Sequence, residues 1–504
     1  MQRATKEFLL EMENISLKRK NEILNSSDDI SITGTAYYVS NSGDDNNDGR
    51  TPETAWRTLE KVSNEKLNSG DGVFFRRGDL FRGSLKAKSG VTYGAYGEGE
   101  KPKFYAADKP LNDKDLWELY DKEHNIWKLK EKTLDMGTIV FNGGEAHSRK
   151  LIPTFKNMKY VCRDNENKDF DIRTEMTEDL DVFWYYDGNL TTAESKGENF
   201  PIPSFNWDDP EISLGDLYLR CDRGNPGEVF QEVEGLARRH SIFCGSERDV
   251  TVDNICFKYI GMHGIAANVH VINLTVTNCE FGWIGGCIQT FMGTDPNYPQ
   301  GGRGTVTRFG NAIEIYGGCD GYKVHNNYIY EVYDAGITHQ VTTRKKLMME
   351  NIEYSHNLIE KCVYGIEYFL DQVEGERESC MKNVVMHHNF IRLSGYGWGQ
   401  QRHNTDTPAL IKGWSYVNTA KNHRVEDNIF DRSAYRMLHL VALKDEYCPE
   451  MKNNTYIQNI GGTLGQYGGN EVEEPEILKF DQNAEDSIKN IFGDKTAKIY
   501  YIEE

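Results

Sequence analysis

The sequence predicts an all-β fold, a right-handed parallel β-helix in which short strands stack coil upon coil. Two observations carry this prediction. Between residues 250 and 457 a strand-like unit recurs with an asparagine near its start, as in VTVDNICF, YKVHNNYIY, IEYSHNLIE and VVMHHNFI. A second short apolar segment follows each unit, and no helical pattern separates the two, whereas globular βαβ units would require one.

The second apolar segment sets the length of the repeat. Its apolar residues are separated by 23, 25, 24, 29, 32 and 39 residues: Ile265, Ile288, Ile313, Ile337, Ile366, Trp398 and Met437. Strand-built repeats of roughly 20–30 residues are typical of β-solenoids, and the longer intervals indicate insertions in one connection. We therefore expect this set of residues to point into the coils.

Asparagines and cysteines occupy recurring positions in the same repeats. The asparagines lie just before the bends, at Asn254, Asn278, Asn327, Asn357, Asn389 and Asn428. Stacked turn asparagines satisfy neighbouring backbone groups as a ladder, so we assign them a structural role. The ten cysteines include no CxxC pair, and several lie at apolar repeat positions. We expect reduced thiols and no disulfide.

The flanking segments predict five regions along the chain. An amphipathic helix built on Phe8, Leu9, Met12, Ile15 and Ile23 is expected to cap one end of the solenoid, since such ends need cover. The predicted regions are an N-terminal helical cap (1–30), the first coils (31–105), an inserted β-rich elaboration (106–245), the main β-helix with its catalytic face (246–460) and a C-terminal closing segment (461–504).

The net charge of the chain disfavours nucleic acids and membranes as binding partners. The formal net charge is −20, and a field of that sign repels nucleic acid phosphates and anionic membranes. The first residues contain no apolar run of signal-peptide length, and no later segment is as apolar as a membrane span. We expect a cytoplasmic protein that binds carbohydrate, with no nucleic acid or membrane partner; the oligomeric state stays open.

Strand alternation places carboxylates on one outer face. Burying Ile313 and Ile366 turns Glu314 and Glu367 outward on equivalent strands two coils apart, with Asp334 at the bend between them. Their backbones should be roughly 9–10 Å apart. Such a pair suits inverting glycoside hydrolysis, whereas pairing Asp334 with either glutamate leaves a retaining mechanism open.

Other polar and aromatic side chains near this face are candidates for binding a sugar. For His339 a hydrogen-bonded role in the core is an equal alternative, and for Trp398 core packing is favoured because it replaces a buried isoleucine. The predicted substrate-binding residues are His339, Gln340, Asp371, Trp398, Gln400, Arg402 and Lys412. The sequence predicts no metal site and no cofactor.

The runs RFGNAIEIYGGCDGYKVHNNYIYEVYDAGITHQ and HNLIEKCVYGIEYFLD resemble the core of bacterial right-handed β-helix glycoside hydrolases, including the β-helical β-xylosidases. The resemblance implies a catalytic carboxylate on the strand GIEYFL, at Glu367 or Asp371. The chain departs from the β-xylosidases at their nucleophile position, which aligns with Phe369, and in the coil GYGWGQQ, which has no acid. The resemblance therefore supports the wider group.

Two other functions fit the same fold. A polysaccharide lyase or uronate epimerase removes a proton next to a uronate carboxylate, for which Lys412 or Arg402 could serve. The acidic balance of the chain is unfavourable for a uronate polymer. A non-catalytic carbohydrate-binding solenoid leaves the acids on the outer face unexplained. Glycoside hydrolysis is the preferred interpretation, with fold analogy carrying part of the weight.

Overall fold

The computed structural model describes residues 1–27, 30–151, 154–156, 159–161, 183–187, 214–292, 305–402, 408–471 and 473–503. Strands dominate, so the predicted all-β class is confirmed. Most of them pair in parallel with the equivalent strand of the next repeat. We call one such repeat a coil; it contributes up to three strand segments, one to each of three faces.

The first face carries the candidate site, and we call it the site sheet. Its strands pair in parallel in the order Leu85–Lys86, Ile242–Gly245, Ile265–Thr277, Ile313–His325, Ala335–Thr343, Tyr364–Gln372, Ala409–Gly413, Arg436–Ala442 and Thr463–Gly469. Two of these strands, Ile265–Thr277 and Ile313–His325, are long enough to continue onto the second face.

The second and third faces are also parallel. The second contains Ala36–Val39, Gly72–Arg76, Thr92–Tyr96, Arg248–Asp253, Met348–Ser355, Cys380–His387, Ala420–Glu426 and Glu450–Lys452. The third, called the back sheet, contains Leu80–Arg82, Lys103–Tyr105, Cys256–Ile260, Glu280–Ile284, Tyr328–Val332, Leu358–Glu360, Phe390–Ser394, Ile429–Ser433, Thr455–Asn459, Lys498–Ile502 and Gln2–Arg3.

A mostly antiparallel side region flanks the coils. It is built from Trp117–Asp121, Ile126–Leu129, Met136–Phe141, Ala146–Lys150, Phe183–Asp187, Leu217–Arg220 and Val233–Ala237, and only Ala146–Lys150 and Phe183–Asp187 among these described strands pair with each other in parallel. It has its own apolar core, which includes Trp117, Ile139 and Leu219. A hairpin of Cys287–Met292 and Thr305–Phe309 rises beside the site sheet. Among the described residues the short α-helices are Leu59–Asn64, Pro226–Val229 and Ala484–Asp486.

Most of the predicted inward residues form one buried column. Ile265, Ile313, Ile337 and Ile366 are paired in register and fully buried, and the column continues through Ile411 and Leu438. The prediction was wrong for three members: Ile288 lies in the antiparallel hairpin, Trp398 in the 3₁₀ turn Trp398–Gln401, and Met437 one residue before the register position. Insertions in these coils shift the spacing that the sequence pattern uses.

An asparagine ladder runs up the bend before the back sheet. The backbone N–H and side-chain amide of Asn327 both donate to Oδ1 of Asn357, each at 3.0 Å, and Asn357, Asn389 and Asn428 repeat the pattern. Asn254 and Asn278 were wrongly predicted to be members. They lie one position earlier, with φ of 58° and 52°, in the left-handed conformation that asparagine tolerates better than most residues.

The cysteines of the described residues form no disulfide. All nine are free thiols, and each is buried except the half-buried Cys380. Cys279 and Cys362 pack in the interior of the coils, where they replace aliphatic side chains. Cys162 lies outside the described residues.

The N-terminal helix, Lys6–Leu24, is not the cap that the sequence predicts. Its apolar face packs across the back sheet, on Tyr328, Leu358, Phe390 and Ile457 from different coils. An apolar row on the outside of that sheet needs cover along its whole length, so the helix lies along the side. The strand before it, Gln2–Arg3, pairs with Lys498–Ile502 at the end of the coils. No helix among the described residues is long and apolar enough to cross a membrane.

Candidate active site

The site is built on one outward column of the site sheet. Next to the buried isoleucine column, the register aligns Glu314, Thr338, Glu367, Lys412 and His439 on successive strands. A strand alternates its faces, so a residue following a buried isoleucine must face outward. The predicted outward orientation of Glu314 and Glu367 therefore agrees with the observed register, two strands apart.

Glu314, Glu367, Lys412 and His439 of this column line a cavity of about 540 Å³. The hairpin, Arg402 just after the 3₁₀ turn, and the later loops form walls around the column, so the acids are buried although they face away from the coil interior. The lining residues are His263, Gln289, Phe309, Asn311, Glu314, Tyr316, Asp334, Gln340, Glu367, Phe369, Arg402, Lys412, Trp414, Arg436, His439 and Glu474. A cavity of this size is typical of a binding site for a small organic molecule.

Glu314 is the acid whose environment favours its protonated form. Burial raises the pKa of Glu314 to about 8, against the opposing effect of the hydrogen bond from Asn311, and the charges of Asp334 and Glu367 raise it further. The side-chain amides of Asn311 and Gln340 both donate to Oε2, the latter at 3.3 Å. With two donors on Oε2, the proton of the neutral acid belongs on Oε1. Glu314 is therefore mostly protonated at pH 7.

The other two acids each contact a cation. The Lys412 ammonium lies 3.1 Å from Oε1 of Glu367. The guanidinium of Arg402 contacts Oδ1 of Asp334. All four side chains are largely buried, and a buried carboxylate is stable as an anion only when a cation or hydrogen bonds compensate its charge. Glu314 therefore differs from the two other buried acids of the cavity, Asp334 and Glu367, each of which contacts a cation.

Two histidines beside the acids are neutral. Burial lowers the pKa of His263 well below its ordinary value, and its Nδ1 accepts the backbone N–H of Asn311 at 2.9 Å. His263 therefore supplies no positive charge to Glu314, although the two side chains are 3.2 Å apart. Burial also lowers the pKa of His439 to about 3, with Arg436 and Lys412 adding to the effect.

Some of the predicted substrate-binding residues line the cavity, and others lie elsewhere. Gln340, Arg402 and Lys412 line the cavity together with the three predicted catalytic acids. His339 does not, because it points into the coil, where its Nδ1 lies 2.8 Å from the Tyr354 hydroxyl and its ring stacks on Tyr368. The prediction of a binding role for His339 was wrong, and the alternative of a core residue describes its position.

Three further candidates lie away from the cavity lining. Trp398 is buried in an aromatic cluster, with its indole N–H donating to the carbonyl of Glu331 at 2.8 Å, which agrees with the core packing favoured for it and not with a binding role. Gln400 is exposed in the same turn. Asp371 accepts a hydrogen bond from Ser415 at 3.2 Å, farther along its strand than Glu367.

Several lining residues were missed by the sequence analysis, among them Phe369, which forms an aromatic wall with Trp414 at a ring-centroid distance of 4.5 Å. Phe369 was detectable, because it is two residues after Glu367 and must share its face. Asn311 and Glu474 come from a bend and a loop, whose positions the strand pattern does not encode, and Arg436 is the first residue of its strand.

Comparison with known proteins finds carbohydrate-active enzymes. No family model matches the chain. A lacto-N-biosidase from Bifidobacterium longum subsp. longum is 26% identical over 250 residues, 47% of this chain. The chain spans only 12% of the length of that relative. The predicted resemblance to glycoside hydrolases is confirmed.

Solved structures give the same class of neighbour at low similarity. XylC in complex with xylose is 15% identical to this chain, with a TM-score of 0.41. The match covers 88% of this chain and 73% of XylC. The GH136 lacto-N-biosidase from Eubacterium ramulus is 12% identical, with a TM-score of 0.37, covering 99% of this chain and 70% of the other.

Proposed function

We propose that this protein is a glycoside hydrolase that cleaves an oligosaccharide or polysaccharide in the cavity on its site sheet. The observation that carries the proposal is the division of its three buried acids. Glu314 is held protonated by burial, whereas Asp334 and Glu367 are paired with Arg402 and Lys412. Glycosidases need this combination, an acid that can donate a proton beside a carboxylate that can attack or activate water.

In this proposal Glu314 is the general acid and protonates the glycosidic oxygen as the bond breaks. Glu367 is the second carboxylate, and Asp334 is the third acid of the site. Glu314 and Glu367 are two strands apart, so their backbones are separated by roughly 9–10 Å. Carboxyl groups carried by backbones at this spacing can stand roughly 6.5–9.5 Å apart, the separation that leaves room for a water molecule and suits inversion at the anomeric carbon.

The aromatic wall supports a carbohydrate substrate. Phe369 and Trp414 present ring surface beside the acids, and Tyr316 flanks Phe369 at a centroid distance of 6.5 Å. Sugar rings carry apolar C–H faces that pack on such surfaces, while their hydroxyl groups need polar partners such as Gln340 and His439.

We further propose that the coils wind in the right-handed sense, as a right-handed parallel β-helix. The three parallel faces are joined by crossover connections, and such connections are right-handed in roughly 98% of cases.

The activity test starts from a panel of aryl glycosides and reducing oligosaccharides. On the substrate found, Glu314→Gln and Glu367→Gln should each lower kcat by roughly 10²–10⁴-fold, because the amide cannot exchange a proton. Glu350→Gln is the matched control, since Glu350 lies on the second face of a neighbouring coil. Near-normal turnover by both site variants, or products with an unsaturated uronate chromophore, would refute the proposal. Proton NMR of the first-formed anomer tests inversion.

A further inference from the structure

We propose that the substrate lies along the site sheet in one direction, with its leaving portion in a second cavity on the N-terminal side of Glu314. This inference rests on the proposed function. The second cavity has a volume of about 660 Å³ and shares part of its wall with the first, including Glu314, Tyr316 and Phe309. Glu314 therefore stands at the junction of two cavities, each large enough for a drug-sized ligand.

The positions of the acids determine the direction. A general acid protonates the oxygen between two sugars, and the second carboxylate works at the anomeric carbon of the sugar that is being transferred. Asp334 and Glu367 both line the first cavity, on coils that follow Glu314, and neither lines the second. The sugar that is attacked must therefore occupy the first cavity. The departing portion continues past Glu314 onto the earlier coils.

The first cavity is closed at its far end. After Lys412 and His439, the next residue in the outward column is Gln466, which is 1% exposed. Its side-chain amide donates to Glu474 at 2.8 Å and to the carbonyl of Pro475 at 2.7 Å, so the segment after the last site strand covers it. This wall limits the length of sugar chain in the first cavity and predicts release of short products from the non-reducing end.

The second cavity extends over earlier coils. From Glu314 the outward column continues through Ala266, Phe243 and Lys86, one strand spacing of about 4.8 Å at a time. Phe243 and Met262 give the cavity apolar surface, and Lys86 and Arg239 add donors for hydroxyl groups. The chemical class that fits is the reducing-end part of an oligosaccharide, longer than a single sugar.

Ala266→Leu tests this placement because it adds bulk to the second cavity next to Glu314. Two substrates with the same transferred sugar are compared: a glycosyl fluoride, whose leaving group is one atom, and an oligosaccharide with an extended leaving portion. We expect Ala266→Leu to lower kcat/KM for the oligosaccharide at least about tenfold more than kcat/KM for the fluoride, because only the oligosaccharide enters the second cavity. The fluoride activity that remains also shows that the variant folds.

Trp414→Ala is the matched variant in the first cavity, and it should lower kcat/KM for both substrates. Equal losses on fluoride and oligosaccharide with Ala266→Leu, or no loss on either, would overturn the direction of binding while leaving hydrolysis established. If the unsubstituted protein hydrolyses no member of a panel of glycosyl fluorides and oligosaccharides, the proposed function itself fails. The two failures are therefore distinguishable.

Discussion

Replacing Glu314 by glutamine should remove a large pH dependence from the stability of the fold. The pKa of Glu314 is about 8 in the folded protein, against an ordinary value of 4.5. At pH below 4.5 the Glu314 carboxyl is protonated in both the folded and the unfolded chain, so its contribution to the stability of the fold is fully present. Between pH 4.5 and 8 only the unfolded chain ionises, so the free energy of unfolding falls by about 1.4 kcal/mol per pH unit.

The difference of 3.5 pKa units corresponds to about 5 kcal/mol, lost by the time the pH reaches 8. Glutamine cannot ionise, and its carbonyl can accept the amide hydrogens of Asn311 and Gln340 in place of Oε2. The free energy of unfolding of Glu314→Gln should therefore rise relative to that of the unsubstituted protein as the pH increases from 4.5 to 8. Above pH 8 the difference between the two proteins should stay constant.

Urea unfolding of both proteins at pH 4, 6 and 9 measures this difference directly, because contributions from other titrating groups cancel to first order. Glu350→Gln serves as the control, since it removes a carboxylate from outside the cavity. If the unfolding midpoints of Glu314→Gln and the unsubstituted protein run parallel between pH 4 and pH 9, Glu314 is not held protonated and its role as the acid is refuted.

Three further predictions follow from individual contacts. Lys412→Met should cost about 3–5 kcal/mol of stability at pH 7 because it leaves the buried Glu367 carboxylate without its cation, and the added change Glu367→Gln should restore most of it in urea unfolding. Asn357→Ala should cost roughly 2–5 kcal/mol by interrupting the ladder, whereas Asn383→Gly, in an exposed stack, should cost less than about 1 kcal/mol. His339→Phe should lower the melting temperature but change kcat/KM less than about twofold, and a large loss of activity would contradict the core position.

The parallel coils could be predicted from the sequence because a buried isoleucine recurs at the same position of successive coils and shows which residues of each strand face inward. Strand residues alternate strictly, and each buried isoleucine at a register position fixes the direction of its neighbours. Ile313 and Ile366 therefore sufficed to turn Glu314 and Glu367 outward. The same rule applied one step further would have found Phe369. The inward position of Ile411 could not be predicted in this way, because the insertion before its strand breaks the regular spacing between buried residues.

The errors come from contacts that no repeat encodes. Asn254 and Asn278 look like ladder residues, yet the left-handed bend residue and the ladder residue are adjacent in sequence and both favour asparagine. The amphipathic pattern of Lys6–Leu24 shows that one face is buried but does not say against what. Only the apolar outer row of the back sheet, assembled from different coils, decides that the helix lies along the side.

The strand pattern also does not predict that the site is buried, and this burial controls the proposed chemistry. An outward glutamate on an open sheet would keep an ordinary pKa and be almost wholly ionised at pH 7. Glu314 is 8% exposed because residues from a bend and the hairpin, such as Asn311 and Phe309, enclose it. At a pKa of about 8, roughly nine-tenths of the molecules hold the proton at pH 7, against less than about 1% at 4.5. The coils supply the spacing of the acids, and the irregular segments supply the environment that makes one of them a proton donor.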